Sequence, residues 1–215
     1  MANVSRINVD SKNDRISKIT LILGGIAALL IVVLFIFGLI GIITTMFGVN
    51  QTSDLFSELQ NNWLVILYKV NIATSGIHAD RLSVVNILDI TIMALMGIVF
   101  IGLYVKLGSS NKIWKIIAIL LPFAGIIVFL ITATAGRSAL MIAGIIISIV
   151  MLASDQHAKI LALFGILAGI LLFFAGDLGT TIYPGNPIVA SCIVIGYFLW
   201  IIWFILVARK LLTNS

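Results

Sequence analysis

A chain of 215 residues that is 61% hydrophobic and only 10% charged has too few charges to solvate a water-soluble globule, which carries about 25%. Its mean hydropathy is +1.24. The apolar residues form runs long enough to cross about 30 Å of hydrocarbon, without the ten-residue alternation of a membrane β-barrel. The net charge of +5 is spread between those runs as loop charge, with no basic stripe carrying interleaved aromatics, so nucleic acid is not expected as a partner.

Residues 1–18 are polar, with Arg6, Lys12, Arg15 and Lys18 set against Asp10 and Asp14, and read as a short, poorly ordered cytoplasmic arm. The first apolar run, 19–47, is too long for a signal-peptide core of about 7–15 residues and is expected to stay as a span. As a straight helix it measures about 43 Å, more than the hydrocarbon thickness, which predicts tilt or a bend near Gly38 and Gly41. Segment 48–83 is the one sizeable loop. Within it Leu55, Phe56, Leu59, Trp63, Ile66, Leu67 and Val70 recur at helical spacing, predicting an extracytoplasmic amphipathic helix at the membrane surface over about 54–70. A seventh span here would bury Glu58, Gln60, Asn61, Asn62 and Lys69 in lipid, at prohibitive cost.

Five more spans follow, at about 84–105, 113–135, 138–153, 160–176 and 188–208, with the fourth of the six the shortest. Their connections are short, so neighbours pair as antiparallel hairpins. The expected fold is thus an all-α, polytopic bundle of six transmembrane helices over 19–210. With the N-terminus inside, ten of the thirteen Lys and Arg residues fall on the cytoplasmic side, leaving Lys69, Arg81 and Arg137 outside. A seven-span arrangement loses that asymmetry. The positive-inside rule therefore favours a multi-pass protein of the cell membrane with both termini cytoplasmic. Trp114, Trp200, Trp203 and Tyr183 lie near span ends, as residues of an interfacial aromatic belt do.

Two packing features stand out. Gly165-x-x-x-Gly169 in the fifth span permits close helix approach, either within the bundle or in a homo-oligomer. Pro122 removes one backbone hydrogen bond inside the third span and predicts a kink.

Ionisable residues inside spans are costly and usually face the bundle interior or a cavity. Asp89 lies about five residues into the second span, Arg137 at the junction of the third and fourth, and Asp177 at the outer end of the fifth. The topology sets all three near the outer leaflet. Asn86 precedes Asp89 by three residues and shares its helix face, which Met93 and Met96 continue. Asn86, Asp89, Arg137 and Asp177 are the candidate polar cluster, in which one arginine between two carboxylates makes a charge-assisted network. It reads either as a clasp fixing helix register or as a small polar pocket open to the outside. No catalytic, cofactor-binding or metal-binding set emerges. His78 and His157 fall on opposite sides of the membrane, and the single Cys192 has no partner in the chain.

Ala135-Gly136-Arg137-Ser138-Ala139, Ala175-Gly176-Asp177-Leu178-Gly179, the Leu88-Asp89-Ile90 start of the second span and the terminal Arg209-Lys210 resemble segments of prokaryotic six-span membrane proteins catalogued as domains of unknown function. The likeness covers roughly residues 84–210 and implies a six-span bundle without an assigned activity. Three functions follow as expectations. The first is a non-enzymatic regulatory, assembly or stress-related role. The second is transport of a small solute or ion, whose signature would be an inverted three-plus-three repeat with a midplane site. The third, an intramembrane enzyme, lacks an acid–base or metal set. The bilayer is the one partner the composition requires.

Overall fold

The computed structural model describes residues 2–46, 84–107, 112–129, 133–154, 159–179 and 187–213. All the elements among them are helices: α1 (Ala2–Met46), α2 (Val84–Lys106), α3 (Lys112–Phe129), α4 (Ala133–Ala153), α5 (Lys159–Leu171) and α6 (Pro187–Leu212), with α5 continuing into a π-helical stretch, Leu172–Gly179. Five helices are long and apolar enough to cross a membrane, and the shorter apolar stretch Lys159–Ala175 supplies a sixth candidate. The predicted surface helix over 54–70 lies outside the described residues.

Side-chain contacts fix the helix directions. Phe35 meets Tyr197 and Trp200, each with ring centroids 5.4 Å apart, while Gly24 and Gly25 meet Leu211 and Leu212. Positions rise along α1 as they fall along α6, so the two helices are antiparallel and both chain ends lie at the same end of the bundle. Gly97 against Phe123 and Gly125 against Met93 make α2 and α3 antiparallel. Gly165 against Ser148 and Gly169 against Ile145 do the same for α4 and α5.

Several boundaries differ from the sequence expectation. From Ala2 onward the arm is helical and continuous with the first span, in a single helix of 45 residues. No Gly or Pro occurs before Gly24, and a helix already nucleated in the span gains one hydrogen bond for each residue added. The fourth span is not the shortest: α4 begins at Ala133 and runs 21 residues, taking residues 133–135 that hydropathy had assigned to the third. α3 passes through the buried Pro122 without ending. The α-helical part of α5 has only 13 residues, about 20 Å, and the π-helical stretch carries it onward.

The chain ends of three helices are satisfied locally. Leu107 N donates to Leu103 O at 2.8 Å and Ser154 N to Val150 O at 3.0 Å. Thr213 closes α6 by donating from both its backbone N and Oγ1 to Arg209 O. Pro187 opens α6 at a position where its missing N–H costs nothing.

Ile31, Met93, Met96, Phe100, Leu103, Ile147, Met151, Trp200, Trp203 and Phe204 are fully buried at the centre. Trp200 and Trp203 thus belong to the core, not to an interfacial belt. Gly144 on α4 and Gly165 on α5 leave room for the flat indoles, and burying them there gains more contact than leaving them at the rim. Trp114, by contrast, is exposed at the start of α3. Ile19, Ile22, Leu23, Ile26, Leu30 and Val33 leave α1 with an exposed apolar stripe, and Ile116, Leu120 and Ile127 do so on α3. Apolar faces of this extent belong against acyl chains.

Candidate functional site

The end of the bundle remote from the termini gathers the start of α2, the end of α3 and the start of α4. Two glycines set the spacing there. A methyl group on Gly136 would stand 2.5 Å from Cβ of Phe129 and 2.9 Å from the carbonyl oxygen of Gly125; one on Gly125 would stand 3.2 Å from the carbonyl oxygen of Gly136 and 3.7 Å from Sδ of Met93. α3 and α4 therefore touch backbone to backbone, and Met93 of α2 packs on the same crossing.

Asp89 lies four residues before Met93, one turn nearer the membrane edge, and Arg137 directly follows Gly136. The crossing therefore delivers them to one another. Arg137 Nε donates to Asp89 Oδ2 at 3.0 Å. The Arg137 guanidinium carbon also stands 5.9 Å from the centroid of the buried Phe129 ring, within cation–π range. Asp89 is 24% exposed and Arg137 41%, so the pair lies at the rim of the bundle and not at its midplane.

Of the four residues singled out by sequence, the structure brings together Asp89 and Arg137. Asn86 lies in α2 and Asp177 in the π-helical stretch at the same end; their side chains are outside the described set. Chemically, the pair presents a carboxylate already held by a guanidinium, an arrangement that stabilises both charges and leaves neither poised as a free base.

Gly165 and Gly169 are buried against α4 and α6 of the same chain: Gly165 against Ser148 and Trp203, Gly169 against Ile145. The close approach they permit is intramolecular.

Two polar features escape sequence reasoning. Lys115 is fully buried, with Nζ 4.9 Å from the centroid of the Tyr104 ring. Its signal was present: Lys115, Ala118, Pro122, Gly125 and Phe129 form the buried face of α3, and Lys115 sits in register with it at three- and four-residue spacing. By charge alone it counts as one of the ten basic residues on the cytoplasmic side. The second feature is a group of three buried polar atoms without a hydrogen-bond partner, Ser148 Oγ, Trp200 Nε1 and Trp203 Nε1. Ser148 Oγ and Trp203 Nε1 both lie over Gly165. Among the described residues, no three His, Cys, Asp or Glu side chains gather as a metal site would require.

Fold and site together define a polytopic helical membrane protein, its one described ion pair linking two helices at the end away from the termini. Comparison of the chain with protein-family models, with curated protein sequences and with solved structures returns no match.

Proposed function

We propose that this is a plasma-membrane protein with both termini in the cytoplasm, and that it acts without catalysis, as a regulatory or assembly component within the bilayer. The observation that carries this reading is the Asp89–Arg137 pair. Among the described side chains at that end, the two ionisable groups neutralise each other across α2 and α4, which is the work of a clasp. The orientation rests on charge. Arg15, Lys18, Lys106, Lys112, Lys115, Lys159, Arg209 and Lys210 all lie toward the end carrying the termini, and Arg137 lies at the other. Such asymmetry directs the basic end inward.

A second reading, transport of a small polar solute entering at the Arg137 end, draws on the unpartnered Ser148, Trp200 and Trp203 atoms deeper in the bundle. Flux measurements separate the two. Proteoliposomes containing the wild-type chain or Asp89→Asn are compared with empty vesicles for uptake of protons, Na⁺, K⁺, Cl⁻ and a neutral polyol. The clasp reading expects all three preparations to coincide; uptake by wild type that Asp89→Asn abolishes overturns it in favour of transport. Orientation is checked in a Cys192→Ala background with a membrane-impermeant maleimide. Thr213→Cys is expected to be protected in intact cells and labelled after permeabilisation, and labelling before permeabilisation refutes the cytoplasmic assignment.

A further inference from the structure

We draw no further inference here: the strongest candidate, the cluster of buried polar atoms that Ser148, Trp200 and Trp203 form where α4, α5 and α6 meet, belongs to the transport reading already given, and Gly165, on which Ser148 and Trp203 converge, has no room even for a methyl group.

Discussion

Arg137 Nε donates to Asp89 Oδ2 across 48 residues of sequence and 3.0 Å of space, tying the first turns of α4 to those of α2. Exposed ion pairs contribute about 0.2–1 kcal/mol and hydrogen bonds to charged groups up to about 3 kcal/mol. With both partners partly exposed, the lower part of that range applies. Asp89→Asn and Arg137→Gln are each expected to lower stability by about 1 kcal/mol, and the double variant by less than the sum. Thermal unfolding in detergent measures all three. Strict additivity of the two losses would show that the contact carries no energy.

The pair depends on the glycine crossing beneath it. A methyl group at Gly136 meets Phe129 and the Gly125 carbonyl well inside van der Waals distance, whereas one at Gly125 meets neighbours at 3.2 Å and beyond. Gly136→Ala is therefore the more damaging change, by about 1–3 kcal/mol. It also forces α3 and α4 apart and weakens Asp89–Arg137 coupling. A double-mutant cycle repeated in the Gly136→Ala background is expected to give a smaller coupling energy than in wild type; an unchanged value would separate the crossing from the clasp.

Hydropathy and charge made the bundle legible because lipid demands about 20 apolar residues for each span, and that demand acts on each segment separately. Short connections then dictated the antiparallel order. The same logic places Asp89 and Arg137 at one end of the bundle, where they pair. What the sequence concealed depends on which way a helix turns. Trp200 and Trp203 read as interfacial from their distance to Arg209, yet both face Gly144 and Gly165 inside the core. An apolar helix surrounded by apolar neighbours carries little signal for the face it buries. The boundary of α4 was misplaced for a related reason: Ala133 to Gly136 is hydropathically neutral, and only the Gly125–Gly136 contact assigns it to the later helix.

Lys115 tests how a buried cation is tolerated at the basic end. Its Nζ lies 4.9 Å from the Tyr104 ring centroid, and a cation over an aromatic face is worth about 0.5–2 kcal/mol. Tyr104→Phe preserves the ring and is expected to leave the unfolding midpoint close to wild type. Tyr104→Leu removes it and is expected to lower stability by about 1 kcal/mol, an effect that shrinks when Lys115 is replaced by Met. If Tyr104→Leu costs the same with Met at that position, the ring contributes packing alone.

Ser148 and Gly165 make the sharpest case, because two kinds of cost meet there. Ser148 Oγ is buried without a hydrogen-bond partner, and an unsatisfied buried hydroxyl costs about 1–3 kcal/mol. Ser148→Ala removes the hydroxyl and keeps the methylene, so it is expected to raise the unfolding midpoint. Gly165→Ala has the opposite sign. Its methyl group would collide with Ser148 Oγ and stand 2.6 Å from Trp203 Nε1, and overpacking of this kind costs about 1–3 kcal/mol. The hydroxyl is the nearest obstacle, so Ser148→Ala/Gly165→Ala relieves part of the collision while the indole contact remains. The double variant should unfold above Gly165→Ala and below Ser148→Ala, with a favourable coupling between the two sites. A Ser148→Ala variant that unfolds earlier than wild type would mean that the hydroxyl has a partner in the membrane, such as a trapped water or a polar solute, and would shift weight toward the transport reading.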